Sequence, residues 1–266
     1  MAKRLDGRKR ESAQRRQHIC ELLLERGYVD VGELRAQLGV NVSTIRRDLD
    51  GLEAEGAVRR VHGGAYAHAA QTGVEIDFSL RLNFHVDAKR RIAHQASLLI
   101  DHGDTVYLDA GTTAFMVAEE LVSRRSLDVV TNSLAAAEVL QNAKGINLYV
   151  VGGPYLARTR SLIGPMAEQG IRAFRFRKMI LATAGIDYKN EALTMSALEE
   201  IPIKRAAMAQ SERVILVADR SKFGKPSLIS MIPLTKVHTL VTDAPPPEDA
   251  AAVFRNLHIE VIMPQD

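Results

Sequence analysis

Apolar residues recur at helical spacing in three short runs within the first 65 positions. Ile19, Leu22 and Leu23 form the stripe of the first run, and the two later runs repeat its spacing. Residues three or four apart share one face of an α-helix, and glycine commonly ends such a helix. The pattern therefore predicts three short amphipathic helices. They span 14–26, 31–38 and 42–55, and the glycines that end them are Gly27, Gly39 and Gly56.

Two further signals complete this N-terminal segment. Asp30 and Glu33 have the spacing of a capping box, in which side chains at a helix start bind free backbone N–H groups. After the third helix, the run from Val58 to His62 is followed by Gly63-Gly64. A glycine pair after such a run is typical of a β-hairpin turn. We therefore expect a helix-turn-helix with a hairpin wing behind it.

From residue 87 onward, strand-like and helix-like patterns alternate. Residues 89–100 have helical spacing, and short valine- and leucine-rich runs then alternate with amphipathic ones. This alternation predicts an α/β domain built on a mostly parallel sheet. The predicted strands span 105–108, 128–131, 147–151, 178–182, 214–218, 238–242 and 260–262. The predicted helices between them span 113–121, 134–142, 197–210 and 247–256.

The segment between these two parts is predicted to be a connector. Gln71-Thr72-Gly73 is polar and turn-like, whereas Phe78, Leu80 and Leu82 alternate with polar residues. That alternation favours a short strand. The 266 residues suit two domains of roughly 100–200 residues each. The predicted organisation is a winged helix-turn-helix domain at 1–66, a connector at 67–86 and an α/β domain at 87–266.

Composition narrows the class of protein. Apolar residues make up 46 % of the chain and charged residues 25 %, which is ordinary for a globular protein and excludes global disorder. No apolar run approaches the ~20 residues of a membrane helix, and no apolar stretch follows the basic N-terminus as in a secretory signal. Cys20 is the single cysteine, which excludes an internal disulfide. We therefore expect a cytoplasmic location with no membrane partner.

Charge is distributed unevenly. Residues 1–65 hold thirteen basic and ten acidic residues, whereas the remainder holds twenty-two of each. The excess positive charge therefore belongs to the helix-turn-helix segment, which favours an anionic partner there. The eight histidines are scattered, and neither a metal site nor a cofactor motif is expected.

The third predicted helix has the chemistry of a DNA-reading helix. At 100° per residue, its apolar residues form one face, and hydroxyl and arginine side chains lie opposite. A major groove admits one helix, in which arginine binds guanine and serine or threonine binds bases or phosphates. Asp48 lies nearer the buried face, and we expect it to pair inside the protein with Arg60. The candidate DNA-binding residues are Ser43, Thr44, Arg46 and Arg47 on the helix and Arg59, Arg60 and His62 on the wing. Arg15, Arg16 and Lys9-Arg10 are interpreted as a solvated terminus.

The loops after the predicted strands share a second chemistry. In an open parallel sheet these loops meet at one edge, where ligands bind. Gly111 allows a close backbone approach at a helix start, and helix N-termini bind anions. Lysines there would offer countercharge and aspartates would accept sugar hydroxyls, so the pattern favours a small phosphorylated sugar or polyol. The candidate ligand-binding residues are Asp109, Gly111, Thr112, Thr113, Thr131, Asn132, Ser133, Gly152, Gly153, Asp187, Lys204, Asp219 and Lys222. Taken singly, a lysine in the middle of a helix, as Lys204 is, is more often solvated than a ligand-binding residue.

Several strings in this sequence resemble the DeoR family of bacterial transcriptional regulators. The resemblance covers about residues 12–245 and implies a sensor domain similar in fold to ribose-phosphate isomerases and CoA transferases. It further implies phosphorylated sugar or polyol effectors, double-stranded operator DNA as partner, and homo-oligomers (dimers or tetramers), usually acting as repressors. One departure is Ala192, where the family usually has glycine. The matching strings are 44–49, 52–53, 60–65, 108–113, 130–133, 151–153, 184–187, 204–208, 217–224 and 241–243.

Three functions remain open on the sequence. The first is a repressor of a carbohydrate-utilisation operon, released from its operator by the effector. The second is a phosphosugar isomerase or transferase with an accessory DNA-binding domain, since carboxylates and Lys204 are capable of acid–base chemistry. The third is a DNA-binding protein with an inert multimerisation domain. No nucleophile elbow, paired metal-ligand histidines or P-loop occurs, so we expect a sensor and not an enzyme.

Overall fold

The structure of this chain is a computed structural model that describes residues 2–54, 58–67, 78–195, 197–227 and 229–264. The chain forms two compact units, Met1–His85 and Val86–Asp266. The predicted helix stop at Gly56 and the polar residues Gln71-Thr72-Gly73 lie outside the described residues. The first unit consists mainly of helices, whereas the second unit is built on a parallel sheet.

The first unit packs helices and a small antiparallel sheet around one apolar core. The strand order is β1-β3-β2, and the hairpin turn lies at His62-Gly63. Ile19, Leu34, Ile45 and Leu49 are fully buried in that core. The helices are α1 (Ala2–Arg26), α2 (Val31–Leu38), α3 (Val42–Ala54) and α4 (Phe78–Leu82), and the strands are β1 (Tyr28–Asp30), β2 (Val58–Val61) and β3 (Gly64–Ala67).

Local signals place the helix-turn-helix as predicted. The Asp30 side chain accepts hydrogen bonds from the backbone N–H groups of Gly32 and Glu33, at 2.7 and 3.1 Å, and so caps α2. Gly39 ends α2 with φ of 63°, the left-handed conformation that glycine adopts without strain. Helix α1, however, begins at Ala2, well before the predicted start at residue 14.

The strand expected from the alternation of Phe78, Leu80 and Leu82 is wrong, because these residues lie in helix α4. Phe78 and Leu82 are four residues apart, a spacing that serves one helical face as well as alternation serves a strand. Phe78 is buried, and Phe84, just beyond the helix, packs into the core of the first unit.

The second unit is a parallel sheet of seven strands flanked by helices. The strand order is β15-β14-β12-β9-β4-β5-β6, and every neighbouring pair is parallel. All seven predicted strands are confirmed, with boundaries shifted by a few residues at most. They are β4 (Thr105–Leu108), β5 (Leu127–Thr131), β6 (Ile146–Val150), β9 (Phe176–Ala182), β12 (Ser211–Val217), β14 (Thr239–Val241) and β15 (Glu260–Ile262).

Smaller elements that the sequence did not predict lie beside this sheet. A two-stranded hairpin follows β6, and a three-stranded antiparallel sheet has the order β10-β11-β13. These strands are only two to five residues long, too short for a periodic signal. They are β7 (Tyr155–Leu156), β8 (Ser161–Leu162), β10 (Gly185–Asp187), β11 (Ala192–Met195) and β13 (Ile229–Pro233), and the helices of the unit are α5 (Val86–Ser97), α6 (Thr112–Leu121), α7 (Leu134–Leu140), α8 (Pro165–Arg172), α9 (Ile201–Ala209) and α10 (Glu248–Asn256).

Candidate DNA-binding surface and ligand site

Helix α3 presents opposite faces to the core and to solvent. Ile45, Leu49 and Leu52 are buried, as the apolar stripe predicts. Arg46 and Arg47 are exposed on the other side. Of the predicted hydroxyl residues on this helix, Ser43 is exposed and Thr44 is half-buried. The helix therefore offers two guanidinium groups and two hydroxyls on one outward face.

Asp48 is buried on the inner side of α3, as expected, but its predicted partner is wrong. It pairs with Arg15 of α1, whose Nε lies 2.5 Å from Oδ2, and not with Arg60. The hydroxyl of Ser12 also donates to Asp48, at 3.1 Å, and Arg16 Nε lies 3.5 Å away. The interpretation of Arg15 and Arg16 as a solvated terminus is therefore wrong as well. These contacts join α1 to the helix that carries the predicted DNA-reading residues.

The wing presents two of its three predicted residues to solvent. Arg59 and His62 are exposed on the β2–β3 hairpin. Arg60 is half-buried, and its guanidinium forms an ion pair with Asp50 of α3. Its backbone N–H donates to Glu53 at 2.9 Å. Arg60 thus fastens the wing to α3, which sequence spacing did not indicate.

In the second unit, five neighbouring parallel strands deliver their loops to one sheet edge. The strands β12, β9, β4, β5 and β6 are adjacent and run in the same direction. Their carboxyl ends therefore lie at the same edge, where open α/β sheets bind ligands. Most of the predicted ligand residues follow these strands directly.

The centre of this edge is an ion pair between Asp109, after β4, and Lys204 on α9. Both side chains are about 1 % exposed, so the interpretation of Lys204 as a solvated residue is wrong. The Lys204 ammonium donates to Asp109 Oδ2 and, at 3.3 Å, to the carbonyl of Ala182 at the end of β9. The Ala182 N–H donates to the same Asp109 oxygen at 2.9 Å. Burial raises the pKa of Asp109, and Lys204 opposes that rise.

One oxygen of this carboxylate has no partner among the described side chains. Asp109 Oδ1 is buried and has no well-formed hydrogen bond within the described residues, while a backbone contact with the adjacent Ala110 N–H lowers the pKa of the carboxyl group. Buried polar atoms in native proteins almost always have a partner, so such an atom indicates a donor that comes from a ligand or from water. Asp109 Oδ1 is therefore a candidate contact for a ligand at this edge.

Gly111 brings the start of helix α6 against the end of β9. Its φ of 148° is a conformation that side chains rarely adopt, and a Cβ there would lie 2.8 Å from the Cβ of Ala182. Having no side chain, Gly111 cannot cap the first N–H groups of α6. Thr112 and Thr113 form the first turn and are buried. The helix N-terminus therefore keeps its partial positive charge available for an anion.

Thr131, the last residue of β5, and the two residues after it are buried, and their side chains bind protein groups. The Thr131 hydroxyl donates to the carbonyl of Leu108 at 2.7 Å. Asn132 accepts a hydrogen bond from the Tyr107 hydroxyl at 2.8 Å and donates to the Leu162 carbonyl at 3.1 Å. The third residue, Ser133, caps α7 with its side chain. These residues shape the edge and leave few free donors.

Of the remaining predicted residues, two follow β6 and one ends β10. Gly152 is exposed and Gly153 half-buried, in the loop after β6. Asp187 does not directly follow a strand of the main sheet, because β9 ends at Ala182 and Asp187 ends β10 of the second sheet. There its carboxylate accepts hydrogen bonds from Asn190, at 2.8 and 3.2 Å, within a turn.

Beyond β12, Asp219 and Lys222 frame a short 3-10 turn at the same edge. Asp219 is buried and caps this turn by accepting from the N–H of Ser221 at 2.9 Å. Lys222 is half-buried in the turn. From the neighbouring strand β14, Asp243 accepts from the backbone N–H of Arg220 at 2.7 Å. This corner is thus held together mainly by local carboxylate caps.

Two buried residues of the edge were missed by the sequence analysis. Tyr107 is fully buried, and burial, with Asp109 and Glu200 nearby, raises its pKa well above the ordinary value. Glu200 is 3 % exposed and accepts from the Ser161 hydroxyl at 3.3 Å. The signal for Glu200 was present, because it precedes Lys204 by four residues and so shares its helical face.

Within the described residues, no helix has the length and apolarity needed to cross a membrane. Nor does any group of three or more histidine, cysteine, aspartate or glutamate residues there have a placement suited to a metal ion.

Both units match described protein families. Residues 15–71 match a family described as "DeoR-like helix-turn-helix domain". Residues 84–244 match one described as "DeoR C terminal sensor domain". Together the two matches span most of the chain and meet the two compact units in order.

Curated relatives cover nearly the full length of the chain. The "Transcriptional repressor AccR" of Agrobacterium fabrum is 40 % identical over 86 % of this chain and 89 % of its own length. The "Glycerol-3-phosphate regulon repressor" of Escherichia coli is 34 % identical over 94 % of this chain and 98 % of its own. The "HTH-type transcriptional regulator IolR" of Bacillus subtilis is 33 % identical, over 86 % and 90 %.

Solved structures show a more distant similarity. Ribose 5-phosphate isomerase A of Methanocaldococcus jannaschii covers 52 % of this chain and 54 % of its own at 14 % identity, with a TM-score of 0.40. The eIF2B beta subunit of Chaetomium thermophilum covers 81 % and 59 % at 18 % identity, with a TM-score of 0.46. Both TM-scores lie below 0.5, so neither structure supports a functional conclusion.

Proposed function

This chain belongs to the DeoR family of transcriptional regulators, and from that premise we propose that it represses a carbohydrate-utilisation operon until a phosphorylated sugar or polyol binds its second unit. Double-stranded operator DNA is the partner of the first unit. The second unit binds the small molecule without converting it.

The observation that carries the proposal is the unpartnered oxygen of Asp109. It is buried beside the Lys204 ammonium, which binds only the other carboxylate oxygen. A hydroxyl group of a ligand is the donor that suits this acceptor, because a carboxylate accepts strong, short hydrogen bonds from O–H groups. An anionic ligand group there would instead be repelled by the carboxylate. Asp109 therefore supports recognition of the polyol end of an effector.

The phosphate end of the effector is assigned to the N-terminus of α6. Gly111 leaves the first N–H groups of that helix uncapped, and such groups bind phosphate readily. The helix begins three residues after Asp109, at Thr112, so one small molecule is able to meet both groups. A ligand that needs an acceptor for its hydroxyls and a helix N-terminus for its charge is a phosphorylated sugar or polyol. The name of the Escherichia coli relative adds glycerol 3-phosphate to the compounds worth testing.

DNA binding is assigned to α3 and the wing. Arg46 and Arg47 are exposed on the face of α3 opposite the core, where a helix in the major groove reads base edges. Arg59 and His62 are exposed on the wing and are assigned to the phosphate backbone. Ser43 and Thr44 complete the predicted contacts of α3. Arg60 is assigned a smaller contribution to DNA binding, because its guanidinium already binds Asp50.

Release requires that the effector bind the DNA-competent and DNA-incompetent forms with different affinities. A ligand with equal affinity for both forms would change nothing. Allosteric coupling is typically ~1–3 kcal/mol, which corresponds to a change in operator affinity of ~5–150-fold. We expect the effector to weaken operator binding by a factor in this range.

The test is a competition between operator and effector on the full chain. The operator is first selected from random duplex DNA, and binding is then followed by fluorescence anisotropy. Sugar phosphates, glycerol 3-phosphate, the unphosphorylated sugars and inorganic phosphate are added in turn. We expect release by one phosphorylated compound and none by its unphosphorylated form or by phosphate alone. A chemical assay of the recovered ligand measures turnover.

A pair of glycine variants locates the effector at α6. Gly111→Ala places a Cβ against Ala182 and should abolish release while leaving operator binding unchanged. Gly170→Ala on α8 is the matched control, because a Cβ there meets only Val151 at an ordinary 3.4 Å. Release that persists in Gly111→Ala would move the effector elsewhere. Turnover of the phosphorylated compound would favour an isomerase or transferase, and the absence of any ligand effect would favour an inert multimerisation domain.

A further inference from the structure

We propose that the open edge of the seven-stranded sheet, with the hairpin beside it, is the surface through which two copies of this chain pair. We call it the edge face and define it as residues 146–158, 163–169 and 198–199. It contains β6, the β7–β8 hairpin start, the start of α8 and two residues before α9. The proposal lies beyond the effector site, since none of its reasoning depends on a ligand.

The backbone of β6 is open on one side. This strand pairs with β5, and no other described strand pairs with it. Unpaired N–H and C=O groups along an edge strand are a template for another strand, and proteins commonly protect such edges with lysines or a covering element. Here residues 145–157 contain no charged residue at all. The edge therefore lacks the usual protection against strand addition.

Exposed apolar side chains gather around this open strand. The face holds five of the nine large hydrophobic residues that are exposed in the described chain. Contacts connect its parts, since Arg158 binds Glu199 at 2.6 Å and Met166 Cε lies 4.0 Å from the position of a Cβ on Gly152. Contiguous apolar patches of this kind are rare on monomers and mark interaction surfaces. The five residues and their exposures are Tyr149 (44 %), Val150 (43 %), Tyr155 (52 %), Met166 (68 %) and Leu198 (62 %).

The size of the face suits a dimer interface. The edge face contains about 20 residues, and each partner in a standard interface contributes ~20–30 residues and ~800 Å². In number of residues, the face is therefore comparable with one side of a standard dimer interface.

The charge of the face favours a second copy over a charged partner. Its carboxylates are already engaged within the chain, Glu199 with Arg158 and Glu168 with Arg172. When Arg172, just outside the face, is counted with its partner Glu168, the two pairs leave no net charge for a nucleic acid or a strongly acidic protein to bind. Two identical copies would meet without like-charge repulsion, because the centre of the face is uncharged.

A two-fold axis through the middle of β6 would pair the open backbone of this strand with its copy and would also cover the exposed apolar side chains around it. Two copies of β6 would then pair antiparallel, with residues at equal distances from Leu148 opposite each other. Ile146 would face Val150, and Asn147 would face Tyr149, so no like charges would lie directly opposite each other. The result is one continuous sheet through both copies, with the same patch used on each side as a two-fold interface requires.

The proposal is tested by the mass of the full chain in solution. Sedimentation equilibrium over a range of concentrations gives the dimer dissociation constant for wild type and variants. Asn147→Lys adds an edge charge at an exposed position of β6, and Met166→Asp adds one at the most exposed apolar residue. Met263→Asp, at an exposed apolar residue just after β15, the opposite edge strand of the same sheet, is the control. Circular dichroism and the melting temperature verify that each variant is folded.

We expect the wild type to be at least dimeric and each of the two face variants to raise the dissociation constant by about 100-fold or more. The control should keep the wild-type constant. Met166→Asp keeps the test decisive even when Asn147→Lys disturbs the sheet, because the Met166 side chain is mostly in solvent. A monomeric wild type overturns the proposal. So does an unchanged constant in both face variants, or an equal loss in the Met263→Asp control.

Discussion

Replacing Lys204 by methionine removes the ammonium from the Asp109–Lys204 pair and keeps the apolar stem that packs in the domain. Both side chains are about 1 % exposed, so the pair receives little screening from water. Asp109 keeps the Ala182 N–H as a donor and loses its only cation. The variant therefore isolates the cost of a buried carboxylate without its counter-ion.

The expected cost follows from this burial. Breaking a buried ion pair by removing one partner destabilises a protein by about 3–5 kcal/mol. Solvent screening, which makes exposed ion pairs contribute little to stability, does not weaken this pair, because neither group reaches solvent. Removing both partners is commonly far less costly, since no unpaired charge remains. The double variant Asp109→Asn, Lys204→Met should therefore recover a large part of the lost stability.

The cost should also depend on pH, with a definite sign. Burial already raises the pKa of Asp109 against the effect of Lys204, and losing Lys204 raises it further. The folded variant then holds a proton that the unfolded chain releases above about pH 4. Because the folded state binds more protons, its stability falls as pH rises from the unfolded pKa to the folded one. The variant should be closest to wild type at pH 5 and most destabilised at pH 8.

Urea unfolding of the full chain, followed by circular dichroism at pH 5, 6, 7 and 8, measures these differences. Lys189→Met is the matched control, since Lys189 is exposed and such surface changes usually stay within about 0.5 kcal/mol. A cost for Lys204→Met below about 1 kcal/mol at pH 8 would contradict the buried pair. A cost that shrinks as pH rises would refute the account of Asp109.

Three further predictions concern other parts of the chain. Arg47→Ala should relax base preference at one operator position, whereas Arg59→Ala should weaken binding to all sequences and flatten the salt dependence of binding. Selection of binding sites and salt titrations distinguish these two effects. Uniform weakening by both variants would show that Arg47 does not recognise a base. Asp48→Asn should lower the stability of the first unit by about 1–3 kcal/mol, because Arg15 loses its buried partner, and equal stability in thermal melts would argue against that contact. Gly111→Ala should destabilise the second unit by about 1–3 kcal/mol, since its φ of 148° suits glycine alone, and an unchanged melting temperature would show that the loop adapts.

Agreement between sequence and structure was best where the signal is periodic. Runs of valine and leucine predicted all seven strands of the parallel sheet, because a buried parallel strand is apolar on both faces. The outward direction of Arg46 and Arg47 followed from the apolar stripe of α3 in the same way. The strand predicted from alternation at Phe78 and Leu82 was wrong, because residues four apart also lie on one face of a helix.

The sequence predicted the sheet edge at which the candidate ligand-binding residues lie, but it did not predict which groups bind each other there. Placing Asp109 and Gly111 at one edge required only the direction of parallel strands. Which groups pair there depends on side chains far apart in the chain, as Lys204 and Asp109 are. For that reason the sequence, with Lys204 taken singly, favoured a solvated side chain, and the unpartnered oxygen of Asp109 had no sequence signature.

The order of residues alone established the three helices and the wing of the first unit, the parallel sheet of the second unit, and the edge at which the loops of that sheet meet. Each of these features depends on local interactions. Periodicity and capping act over a few residues, so they are legible in the chain itself. The long-range pairings were settled only when the chain was folded: Arg15 with Asp48, Arg60 with Asp50, and Lys204 with Asp109. Each places opposite charges together across 10 to 95 positions of sequence, and such distances are closed by packing, not by any local preference of the backbone.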